Sequence, residues 1–202
     1  MDKNRIEAFS DGVLAIIITI MVLELKVPHG IELSALIQLY PVFISYCLSF
    51  IYVGIYWNNH HHMFKAVHKV NGAALWANLV LLFWLSLLPF TTGWMGENHF
   101  AQWPVTVYGI NLLFCALAYF VLQNVLIRHQ GADGVLARAI GRDIKGKLSP
   151  VFYILGCTAA WLSYPALGMV FFVAVALMWL VPDRRVETLV AKTPHVHEGE
   201  SR

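Results

Sequence analysis

The stretch RIEAFSDGVLAIIITIMVLEL, residues 5–25, sets polar and apolar chemistry side by side. Residues 12–23 read as an apolar helix interrupted only by Gly12 and Thr19. Arg5, Glu7, Ser10 and Asp11 stand directly before it. At 1.5 Å per residue, about 20 apolar residues cross the ~30 Å hydrocarbon core of a bilayer. The segment from Ala8 to Leu25 is close to that length and reads as a membrane span, ended by the turn Val27-Pro28-His29-Gly30. The polar residues before it either close off the helix or belong to a site.

The whole chain supports a membrane reading. Of 202 residues, 58% are hydrophobic and only 13% charged, against about 25% charged in soluble domains. A net charge of +2 is too small to suggest a nucleic-acid partner. Cys47, Cys115 and Cys157 each sit in an apolar run, without metal-ligand spacing, and read as buried small hydrophobes. The first apolar run has no clean cleavage site and reads as a retained span, not a signal peptide. Phosphate-loop, HExxH, CxxC and nucleophile-elbow patterns are missing from the sequence, so the expectation is a non-enzyme without a cofactor.

Five further apolar blocks follow. They are Leu36–Tyr56, with Pro41 inside and a helical continuation through WNNHHHMF, then Gly72–Phe90, Val105–Leu126, Ser149–Leu162 and Ala166–Val181. VLARAI, in the polar connection Arg128–Lys147, reads as a short surface helix, and Pro165 with Gly168 as a tight turn. Six spans put both termini on one side of the membrane. On that side fall Lys3, Arg5, Lys65, Lys69, Arg128, Arg138, Arg142, Lys145, Lys147, Arg184, Arg185 and Lys192. The other side holds Lys26 alone, with Tyr40, Trp94 and Trp103 near the outer ends. The positive-inside rule then makes the termini cytoplasmic in a multi-pass protein of the cell membrane. The expected organisation is an all-α membrane unit over residues 1–182 and a polar cytoplasmic tail over 183–202, partly disordered.

Two readings of the polar entrance stay open. Acidic residues near a helix N-terminus offset the macrodipole, and Ser10 can bond to its own helix. Alternatively, Arg5, Ser10 and Asp11 form a buried polar knot that holds the helix against its neighbours. Beyond them, Gly12, Ile16, Thr19, Ile20 and Leu23 fall on one helical stripe. Such a stripe suits packing, or the wall of a pore with hydrophobic rings and Glu24 at its outer mouth. The histidines His60, His61, His62 and His68 follow the second span. Adjacent helical residues point about 100° apart and no acidic residue lies among them, so a shared metal is disfavoured. His60 or His61, beside Trp57 and Asn58, is placed to reach Ser10 and Asp11.

Arg5-x-x-x-Phe9-Ser10-Asp11, followed by Gly12-Val13-Leu14-Ala15-Ile16-Ile17-Ile18-Thr19, resembles the first-helix signature of the transmembrane protein 175 family. These are the potassium channels of endosomes and lysosomes and their bacterial relatives. A single six-span unit resembles the bacterial form, a homotetramer; the animal form is similar to two fused units working as a dimer. The resemblance implies a potassium-preferring channel in which the first helix of each subunit lines a central pore. It implies the narrowest ring at Ile16, further rings at Ile20 and Leu23, and a contribution of Thr19 to potassium preference. It also implies a bracing network of Arg5, Phe9, Ser10 and Asp11 with Trp57 and His61, these last two matched by position. No metal is implied beyond permeant potassium.

Rival readings are a proton-coupled or small-solute transporter using Asp11 and a histidine, a membrane enzyme, and a structural membrane protein. The later spans carry no Asp, Glu, Lys or Arg for a relay, which weakens the first. On a background without the three native cysteines, Asn98→Cys is expected to label from outside and Asp133→Cys from inside. Labelling of position 98 from inside alone would overturn the topology.

Overall fold

A computed structural model of the chain describes residues 3–67, 69–131, 134–140 and 143–180. It is all-α, in nine helices among the described residues. They are α1 (Asn4–Leu23), α2 (Leu33–Ile37), α3 (Tyr40–Lys65), α4 (Gly72–Ser86), α5 (Leu88–Glu97), α6 (Gln102–Gln130), α7 (Val135–Ile140), α8 (Ile144–Trp161) and α9 (Pro165–Leu180). The expected ends at Val181 and the tail from 183, like His68 and Arg142, lie outside the described residues.

Four helical stretches are long and apolar enough to cross a membrane: α1, α3, α4 with α5 as Gly72–Glu97, and α6. α9 is apolar but has 16 residues. α8 has 18, and its first turn carries Lys145 and Lys147. Helix length by itself therefore yields four spans where the sequence pattern gave six.

Several boundaries differ from the sequence reading, and prolines account for most of them. The second span does not start at Leu36. Leu33–Ile37 is a separate short helix, and α3 begins at Tyr40 with Pro41 in its first turn. A proline costs nothing there because that N–H has no intrahelical acceptor. The third span does not stop at Phe90. Pro89 breaks the ladder at Leu87, and the chain resumes as α5 as far as Glu97, so Gly93 lies inside a helix. The turn after α5 shrinks to Asn98–Ala101, where His99 and Phe100 adopt positive φ. The turn before α9 runs through Ser163, φ 73°, with Pro165 opening the helix. Gly168 is not part of that turn; it is buried in α9 against Gly156 and Ala160 of α8. VLARAI forms α7 as expected. Of the cysteines, Cys115 is buried and Cys47 and Cys157 are half-buried.

α6 is the hub, packing against α4, α5, α8 and α9, while α1 packs against α3, α4 and α5. Water cannot satisfy polar groups in this interior, so they bond to one another. The Ser49 hydroxyl pairs with Thr92 at 2.6 Å and Tyr108 at 3.0 Å, tying α3 to α5 and α6. Asn111 Nδ2 donates to Thr91 Oγ1 at 3.3 Å.

Close approach of α6, α8 and α9 depends on missing side chains, as is common between membrane helices. A Cβ on Gly109 would stand 2.7 Å from Cys157 Sγ and closer still to the Phe172 ring. One on Gly156 would meet that ring at 2.5 Å. Gly109→Ala is therefore expected to destabilise by roughly 1–3 kcal/mol through overpacking. Gly54→Ala, where a Cβ has no neighbour within 4 Å, is expected to melt like the parent. Thermal denaturation in detergent checks this, and equal Tm values for both variants would contradict it.

Candidate functional site

α1 has two unlike faces. Ile6, Ser10, Leu14, Ile17 and Met21 are buried at steps of three and four residues. Gly12, Ile16, Thr19, Ile20 and Leu23 are all exposed. Ile16 is 59% and Leu23 74% exposed, while the neighbouring Ile17 is 2% exposed. A helix in this setting covers the face that has partners in its own chain and leaves the other open. The Thr19 hydroxyl donates to Ala15 O at 2.8 Å, within its own helix.

At the start of α1 the structure brings three helices together. Asn78 of α4 donates through Nδ2 to Ser10 Oγ at 3.0 Å. Its Oδ1 lies 2.8 Å from His60 Nε2 of α3. Because that Oδ1 only accepts, His60 Nε2 carries the proton in this arrangement. Ser10, Asn78 and His60 are all buried. Nearer the surface, Trp57 Nε1 donates to Asp11 Oδ1 at 3.1 Å. His61 lies against Trp57, with ring planes 13° apart and centroids 6.2 Å apart. Lys3 Nζ donates to Phe64 O at 2.8 Å, binding the start of α1 to the last turn of α3.

The histidine bonded into this cluster is thus His60, while His61 touches it through the indole. Arg5 and Phe9 are exposed, and Arg5 has no ion pair among the described residues. The sequence reading did not single out Asn78. Its signal was available: it is the lone amide in the apolar run GAALWANLVLL, and a buried amide in a span must find partners.

At the other end of α1, Glu24 is exposed, and its carboxylate lies beside Gly93 of α5, 3.6 Å from where a Cβ would be. Glu24, Lys26, Gln38, Glu97 and His99 line a cavity of about 230 Å³. Lys26 bonds to Glu97, and that bond holds the ammonium's pKa above its usual value. A smaller cavity of about 40 Å³, away from α1, lies among Tyr52, Tyr56, Tyr119, Tyr153, Trp179 and Asp143. Among the described residues no group of three His, Cys, Asp or Glu side chains is placed to hold a metal.

An all-helical bundle of several apolar spans, whose buried polar side chains bond to one another between helices, defines a multi-pass membrane protein. The sequence profile of the family described as endosomal/lysosomal potassium channel TMEM175 matches residues 5–89. A potassium channel of Chryseobacterium sp. (strain P1-3) is 57% identical over 93% of this chain and 97% of its own length. A potassium channel of Streptomyces collinus (strain DSM 40733 / Tue 365) is 35% identical over 81% of this chain and 85% of its own. The crystal structure of a lysosomal potassium-selective channel TMEM175 homolog from Chamaesiphon minutus superposes with a TM-score of 0.78 at 29% identity. That match covers 90% of this chain and 97% of the other. The chain belongs to the TMEM175 potassium-channel family, a family of transport proteins and not of enzymes.

The buried relay gives a stability test. Asn78→Leu leaves Ser10 and His60 without their partner, at about 1–3 kcal/mol for each unsatisfied group. His61→Ala, at a half-buried ring contact, is expected to cost much less. Asp11→Ala is expected to fall between them, by freeing the Trp57 N–H. Melting temperatures in detergent decide; a His61→Ala loss equal to that of Asn78→Leu would contradict the assignment.

Proposed function

We infer that the protein is a passive, potassium-preferring cation channel of the cell membrane, a homotetramer in which α1 of each subunit lines a central pore. The observation that carries the reading is the open face of α1. The stripe Gly12, Ile16, Thr19, Ile20 and Leu23 is uncovered in the single chain, while Ile6, Ser10, Leu14, Ile17 and Met21 on the other face are packed. Four copies facing a common axis would stack rings of Ile16, Ile20 and Leu23 over about 10 Å. Ile16 forms the narrowest ring, since Gly12 one turn earlier leaves space and a β-branched side chain is stiff on a helix. Apolar rings supply no ligand to replace an ion's hydration shell, so potassium preference is modest, with Thr19 contributing a hydroxyl.

In this reading Asp11 braces the helix and is no ion ligand; its bond to Trp57 supports that role. Ser10 acts likewise through Asn78 and His60, and Arg5 and Phe9 complete the entrance on the cytoplasmic side. His61 supports the indole. α8 and α9 cross as a short hairpin and complete six spans, with Lys145 and Lys147 reaching back to the cytoplasmic headgroups. Both termini are cytoplasmic. The bacterial relatives named as potassium channels support potassium as the permeant ion.

The test is current through reconstituted protein. Ile16→Asn replaces an apolar ring by amides that hold water and is expected to raise resting current at least tenfold, since dewetting no longer favours the closed state. Ile17→Asn, on the buried face, is expected to reduce yield and melting temperature instead. Equal effects on current at the two positions would remove α1, in this orientation, as the pore wall.

A further inference from the structure

Among the described residues one ion pair is formed, at the outer end of α1. Lys26 Nζ donates to Glu97 Oε1 at 2.5 Å, joining the connection after α1 to the last residue of α5. The side chains are 72% and 47% exposed in the single chain. It borders the outer cavity together with Glu24. Glu24 directly follows Leu23, the last residue of the open stripe, and Lys26 comes two residues later. Exposed ion pairs contribute little to stability, so fastening the connection is a weak reason for this one. Its charge is another matter, because charges lining a mouth set the local concentration of permeant ions.

We propose that Lys26 and Glu97 are a charge-setting pair at the outer mouth, through which Lys26 limits and Glu97 raises the supply of cations to the pore. The proposal rests on the reading of α1 as the pore wall. Of the carboxylates and ammonium that line the cavity, Glu24 and Glu97 carry two negative charges and Lys26 one positive, a net of one negative charge per subunit. Lys26→Gln leaves two, and Glu97→Gln leaves none. The double variant restores one. Charge tuning therefore gives the two single variants opposite effects. A mechanical latch would give them the same effect, since either change breaks the same bond.

The experiment is single-channel recording of the full chain in neutral-lipid bilayers, with potassium salt at 0.02 M and at 1 M on the outer side. At low salt, inward conductance is expected to rise about twofold in Lys26→Gln and to fall about twofold in Glu97→Gln, because the potential of each charge then reaches well over 10 Å. The double variant and Lys26→Arg are expected to match the parent. At 1 M, where screening cuts the reach to about 3 Å, all variants should converge. Shifts in the same direction for both single variants, or parent-like conductance for both at low salt, overturn the proposal. Ile16→Asn recorded alongside separates the two levels. If it raises current while the charge variants are flat, only this inference fails. If it behaves like Ile17→Asn, the pore reading itself has failed.

Discussion

A polar group placed in hydrocarbon must find its partner within the protein, because no water is there to serve. In this chain that constraint falls on Asn78, a buried amide on an otherwise apolar helix. It accepts from His60 on one side and donates to Ser10 on the other, so one side chain fastens three helices at a common depth. An apolar contact between the same helices tolerates sliding and rotation. A two-bond relay does not, because turning α1 by one residue, about 100°, would carry Ser10 away from its donor. The rotational setting of α1, and hence which side chains stay uncovered, follows from this relay and from the Trp57–Asp11 bond outside it.

The remainder of the bundle holds that arrangement steady. Behind α1, α4 and α5 meet at Leu87 and both keep contact with α1. The hydroxyls of Ser49, Thr92 and Tyr108 fix α5 to α3 and α6 above the break. Farther out, Gly109, Gly156 and Gly168 let α6, α8 and α9 close around the Phe172 ring. The Tyr52 hydroxyl then reaches across from α3 to the Phe172 carbonyl. None of these contacts uses the outer face of α1. The chain thus packs one side of α1 and leaves an apolar stripe of Ile16, Ile20 and Leu23 on the other. In the proposed channel that stripe is the wall of the pore.

Much of this was legible from residue order. The apolar runs, the polar entrance RIEAFSD and the stripe through Leu23 all rest on periodicity and on the cost of charge in lipid, which act locally. The same patterning located α7 and the separation of Ile16 from Ile17 onto different faces, but it set the tight turn at Pro165 and Gly168, which lie in α9, the turn itself passing through Ser163. What the sequence by itself determined is therefore an all-helical membrane chain whose first helix has one apolar stripe beneath a polar cluster. Tertiary structure decided the rest. That His60 and not His61 reaches the cluster through Asn78 depends on the phase of α3 against α4, and neighbours 100° apart in one helix look equivalent in a string. That Pro41 starts a helix while Pro89 interrupts one depends on which carbonyls lie a turn earlier, as does the run of α5 past Gly93 to Glu97. Pairing Lys26 with Glu97 joins residues 71 positions apart. Such partners are set by how whole helices pack, since hydrogen bonds and charges are directional and long-range in sequence, whereas the hydrophobic pattern that marks a span is neither.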